Sequence, residues 1–136
     1  MSRRIKLAIM AAVVLALAAG AYAYFAHFRP EPEPPPKQPK IVHLGEFITN
    51  LAGVDRRFVK VQVDVKADSE EAGREIVSRS SEVRDAVLLV LRSKNVTDLA
   101  GPEGMKKLGV EISDSINQIL TTGDVLAVYF VEFAIQ

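Results

Sequence analysis

Residues able to carry chemistry are few in this chain and stand apart from one another. The histidines are His27 and His43 alone, and cysteine is absent. That absence removes thiol catalysis, disulfides and sulfur-ligated zinc. Two lone histidines supply too few ligands for a metal, so neither a metal nor a cofactor is expected. No G-x-S-x-G, phosphate loop or dinucleotide fingerprint occurs, and Gly101-Pro102-Glu103-Gly104 reads as a helix start. What remains is charge placed among apolar neighbours. Arg84 and Asp85 fall mid-helix beside positions 83 and 87 of an apolar stripe, which makes them either a solvated flank, with Arg84 paired to a strand acid, or a subunit contact. Glu132 alternates with apolar residues in the last segment. If buried it requires a cationic partner, since an unpaired buried carboxylate costs several kcal/mol. As an acid–base catalyst it would need a second carboxylate opposite, which the sequence does not place.

The element that must position everything else is Leu7 to Ala26, an uncharged run preceded by Arg3, Arg4 and Lys6. At about 1.5 Å per residue it covers roughly 30 Å, the thickness of bilayer hydrocarbon. A membrane helix over residues 7–28 is expected, after a cytoplasmic tip of residues 1–6. The cations before the span keep the N-terminus cytoplasmic and send the rest across the membrane. A cleaved signal peptide competes, because Ala19-Gly20-Ala21 and Ala21-Tyr22-Ala23 are small-x-small sites. Against cleavage, Tyr22, Tyr24 and Phe28 suit an interfacial aromatic belt. Ser2-Arg3-Arg4 has the look of a twin-arginine signal, but Lys6 falls where an apolar residue belongs.

Residues 29–40, RPEPEPPPKQPK, hold six of the seven prolines. They read as a stiff polyproline II stalk, reaching roughly 37 Å at about 3.1 Å per residue. Residues 41–136 then form one α+β domain. Net charge is zero overall, and the exported part is mildly acidic, so nucleic acid binding is excluded for want of a basic face.

Within that domain Ile41 to Gly53 reads as a strand and its turn. Val59, Val61, Val63 and Val65 alternate with polar residues, the signature of a half-buried strand, and the two strands should form an antiparallel hairpin. Asp68 and Glu71 suggest a capping box opening a helix with Ala72, Ile76, Val83, Val87 and Leu91 inward, bent near Ser80, and ended by a left-handed Asn95. Glu70 with Arg74 and Glu75 with Arg79 should pair on its wet side. Pro102 starts a second helix carrying Met105, Leu108, Ile112, Ile116 and Ile119 or Leu120. The near-continuous apolar run from Val125 suggests a third strand at the sheet centre, or one covered on both faces. Three strands and two main helices result.

Several stretches together resemble the FliL proteins associated with the bacterial flagellar basal body. They are Phe47-Ile48-Thr49-Asn50-Leu51, Glu82-Val83-Arg84-Asp85-Ala86-Val87 through Ser93-Lys94, Thr97-Asp98-Leu99 with Pro102-Glu103-Gly104, and Val128-Tyr129-Phe130-Val131-Glu132-Phe133-Ala134-Ile135-Gln136. The resemblance implies an inner-membrane protein with a stomatin-like periplasmic domain, assembling as a homo-oligomeric ring around the stator units of the flagellar motor and supporting torque and motility. It implies a structural role without catalysis, with Phe47, Asn50, Leu51, Tyr129, Phe130 and Phe133 as the family-motif core; Arg84, Asp85 and Glu132 stand as candidate contact residues on the placement of their charges alone. The linker is shorter than in many members. Two rivals are a tethered hydrolase, for which no catalytic cluster is present, and a membrane-anchored sensing module that binds a small ligand as a monomer.

Overall fold

The structure, a computed structural model, describes residues 2–29 and 31–136; Met1 and the linker's Pro30 lie outside it. It divides into two compact units, Met1–Pro35 and Pro36–Gln136. The first holds α1 (Arg3–His27), with a mean hydropathy of 2.1 in its most apolar stretch and no buried residue. The helix is long and apolar enough to cross a bilayer, and it starts four residues before the apolar run, at Arg3. Tyr24 stacks on Phe28 with ring centroids 4.7 Å apart. Residues 31–39 are exposed and belong to neither helix nor strand.

The second unit contains β1 (Lys40–Asn50), β2 (Phe58–Ala67), α2 (Glu70–Ser78), α3 (Ser80–Arg92), α4 (Gly101–Asn117) and β3 (Val125–Ile135). This is the mixed helix and sheet class expected. β1 and β2 form the antiparallel hairpin, Lys40 facing Ala67 and Asn50 facing Phe58. The period of two in β2 has its physical counterpart: Val59, Val61, Val63 and Val65 are wholly buried on one face. Ala72, Ile76, Val83, Val87 and Leu91 cover that face from one side, and Leu108, Ile112, Ile116 and Leu120 from the other.

Four local expectations are corrected. β3 is an edge strand, because the sheet order is β1-β2-β3 and β2 lies at the centre. Its apolar continuity comes from two bulges: Leu126 and Val131 are skipped by the ladder to β2 and stand 57% and 59% exposed. Each skipped residue resets the in–out alternation, so apolar residues fall next to one another without a second cover. The bend expected near Ser80 is present as a full break at Arg79, so the first main helix becomes α2 and α3 and the domain has three helices where two main ones were expected. The Arg79 guanidinium holds that break by donating to the Ile119 carbonyl and, at 2.7 Å and 3.2 Å, to Glu82. The cap of α2 is Ser69, whose Oγ accepts from the Ala72 N–H at 3.2 Å. Asp68 is tied to the start of β3 through the Asp124 carbonyl, and its carboxylate accepts from Ser69 and Lys37 instead. Asn95 takes no left-handed conformation; its Oδ1 accepts from the Asp98 N–H and the Thr97 hydroxyl and shapes the connector to α4.

Candidate functional site

Arg84 is the hinge of any reading of this surface, and its partners are carbonyls where a strand acid was one expectation. Its guanidinium donates to the Leu44 and Glu46 carbonyls, the latter at 2.9 Å, and lies 4.2 Å above the Phe47 ring centroid. The hairpin register slips between His43 and Gly45, and Gly45 sits at φ +88 with Arg84 Nη1 beside it. β1 is an edge strand, so the carbonyls on its free side have no ladder partner. Arg84 satisfies two of them at once, Leu44's half-buried and Glu46's exposed, and the buried ring of Phe47 adds a cation–π contact. Asp85 next to it is exposed on the rim of a shallow groove between α3 and α4 that also includes Leu89 and Ile119.

The outer sheet face carries a ladder of charge. Lys60 on central β2 reaches Glu46 of β1 at 3.2 Å and Glu132 of β3 at 3.6 Å. The hydrogen bond from Lys60 to Glu46, then the nearby Glu132 charge, hold the ammonium above the usual lysine range. Glu132 is therefore an exposed, paired carboxylate, and the buried-acid alternative falls away. On the same face His43 Nδ1 lies 2.8 Å from Asp64 Oδ2. The Asp64 side chain is only 14% exposed, and its Oδ1 has no hydrogen-bond partner. His43 precedes Glu46 by three residues, a spacing used by metal ligands. Here the two side chains serve different partners, Asp64 and Lys60, and among the described residues no three His, Cys, Asp or Glu groups gather at metal-binding distance.

The most heavily bonded carboxylate is Glu75 on α2, expected on the wet side and found with its side chain only 10% exposed. It accepts from the backbone N–H groups of Thr121 and Thr122 and from both threonine hydroxyls, at 2.6 to 3.0 Å, and pairs with Arg79 at 3.4 Å. The Thr122 hydroxyl foremost, and then the Thr121 amide, pull its carboxyl down to about 2 from an ordinary 4.5. A depressed folded-state value means that this carboxylate's stabilisation is full above about pH 4.5 and lost as pH falls toward 2. The melting temperature of Glu75→Gln should accordingly fall less steeply than the parent's between pH 5 and pH 2, with the two curves furthest apart at neutral pH. Parallel curves across that window would refute the assignment.

Against known proteins, residues 41–136 match the family of FliL, flagellar basal body-associated proteins. The match covers the sheet, but for the first residue of β1, and its three helices. The chain belongs to the FliL family. It is similar to the flagellar protein FliL of Aquifex aeolicus (strain VF5), 32% identical over 91 residues, which are 66% of this chain and 56% of that protein. It is also similar to the flagellar protein FliL of Bacillus subtilis (strain 168), 30% identical over 95 residues, 70% of this chain and 66% of that protein. The chain thus spans less than two thirds of the length of each.

The stretches that resembled FliL divide between core and surface. Phe47 and Leu51 are buried in the core, and Phe130 and Phe133 pack against it half-buried, edge to face with centroids 6.1 Å apart. Asn50 and Tyr129 are not core residues. β1's alternation turns Asn50 outward opposite Phe58, and Tyr129 faces Asp64 on the outer side of the ladder, 45% exposed. Within the FliL domain the sequence reading missed the Glu75 cradle, because its donors lie 46 and 47 residues away. The one local signal was the polar pair Thr121-Thr122 where the helix stops.

Proposed function

We propose that this FliL-family chain is an accessory structural protein of the flagellar basal body, anchored in the inner membrane through residues 7–28 and carrying residues 41–136 in the periplasm. The observation that carries the reading is a family match coextensive with the folded sheet-and-helix unit, behind a helix long and apolar enough to cross a membrane. The domain assembles as a ring around the stator units and supports torque. Confinement of anchored subunits to one plane raises their effective concentration, so modest side-to-side contacts suffice to close a ring. Asp85 and Glu132, both exposed, are contact residues; Arg84 takes part through the β1 strand it holds.

Topology is tested by single cysteines, to which the cysteine-free chain lends itself. A cysteine at Gln38 should react with a membrane-impermeant thiol reagent from the periplasmic side and one at Ser2 should stay unlabelled; the opposite pattern refutes the orientation. Deleting the gene should weaken swimming through viscous medium, and cross-linking in intact membranes should give a ladder of oligomers. Monomer alone with normal swimming would overturn the reading.

A further inference from the structure

The six arginines of the folded domain fall into two sets. Arg74 pairs with Glu70 and Glu71, Arg79 with Glu75 and Glu82, and Arg84 with two carbonyls. Among the described residues, the side chains of Arg56, Arg57 and Arg92 form no hydrogen bond or ion pair, and all three stand at one end of the domain. Arg56 and Arg57 close the β1–β2 loop, and Arg92 ends α3 beside Ile48, Asn50 and Phe58 in a shallow surface pocket. The same end exposes apolar surface: Val54 is 95% exposed, Ile48 59% and Phe58 37%. Arg56 holds φ 46, a left-handed conformation rare for a side-chain-bearing residue. This end lies about 30 Å along the sheet from Lys40, where the linker enters, at about 3.3 Å per residue from Ala67 to Phe58 of β2.

We propose that this end of the domain docks an extended acidic segment of a partner protein, in which carboxylates flanked by apolar side chains meet Arg56, Arg57 and Arg92 while the apolar side chains cover Val54, Ile48 and Phe58. The chemistry favours a peptide over an anionic polymer or lipid surface. A guanidinium fork binds carboxylate or phosphate through two parallel hydrogen bonds, and the unpaired cations of the β1–β2 loop and the end of α3 are all arginine, so the choice of a peptide rests on the apolar side chains exposed among them. A polyanion needs charge alone, whereas arginines set among exposed aliphatic and aromatic side chains have the composition of a protein–protein hot spot. Asp55 in the loop further disfavours a uniformly negative surface. The proposal rests on the flagellar reading and deepens it by naming the partner-facing end.

The test places a photo-cross-linking benzoylphenylalanine at Val54 of the full-length chain in living cells. Irradiation should yield an adduct whose partner peptide, sequenced by mass spectrometry, carries Asp or Glu beside apolar residues. Joint Arg56→Glu, Arg57→Glu and Arg92→Glu should cut its yield at least about tenfold, the rim charges being reversed. Neutralising the acids of the identified segment to Asn or Gln, with this chain unaltered, should do the same and does not depend on the triple variant folding. An adduct with cell-wall glycan, lipid or a second copy of this chain, no adduct, or a yield indifferent to both changes would overturn the proposal. Swimming of the deletion strain reports separately on the flagellar reading.

Discussion

Removing residues 130–136 is expected to abolish cooperative unfolding of the domain. The cut deletes the β3 residues that face Val59, Lys60, Val61, Gln62 and Val63 of β2, together with the two backbone hydrogen bonds between Phe58 and Gln136. Val59, Val61 and Val63 are wholly buried, and β3 pairing keeps water from one side of that row. Phe130, Phe133 and Ile135, which pack against the same core, leave with it. A fully buried aliphatic or aromatic side chain contributes about 1.5 to 3 kcal/mol, and even half that figure over six side chains approaches the about 5 to 15 kcal/mol that holds a small domain together. Circular dichroism melts of residues 36–136 and of the same piece ending at Tyr129 make the comparison. A truncated piece melting within a few degrees of the parent would show that the last half of β3 is not structural.

Arg84→Glu should destabilise the domain by about 3 kcal/mol or more, by a route that its place on a helix surface does not suggest. Hydrogen bonds to a charged donor contribute about 1.5 to 3 kcal/mol each, and a cation over an aromatic face about 0.5 to 2. Partial exposure of the guanidinium trims the sum, while the new carboxylate turned toward the Leu44 and Glu46 carbonyls adds repulsion. Arg84→Lys should recover only part, because an ammonium reaches one carbonyl at a time and stacks poorly on Phe47. Denaturant melts of the three proteins give the order parent, Lys, Glu; equal midpoints would remove Arg84 from the frame of β1. For assembly this means that a ring lost in Arg84→Glu follows from a loosened β1 as readily as from a lost contact. Asp85→Lys and Glu132→Lys are the cleaner interface tests: Asp85 enters no ion pair among the described residues, and Glu132 has only an exposed link to Lys60.

Much of the architecture was legible from local pattern, because it depends on residues a few positions apart. The apolar run before the proline segment marked a membrane-length helix, the period of two in β2 named its buried valines, and the helical stripes of α2, α3 and α4 named the side chains that cover them, apart from Met105, which is half-buried and outside the core. Those periods survive folding because each element must turn its apolar face to one core. The joint order of short motifs carried the family. Other features arose only in three dimensions, since their partners are distant in the chain. Backbone pairing, blind to side-chain polarity, put half-polar β2 at the centre and apolar β3 at the edge. The free edge of β1 left the Leu44 and Glu46 carbonyls to Arg84, 40 and 38 residues on, and the turn after α4 brought four donors to Glu75. Three arginines, scattered as 56, 57 and 92 in sequence, became one free cationic end because the hairpin turn and the end of α3 meet there.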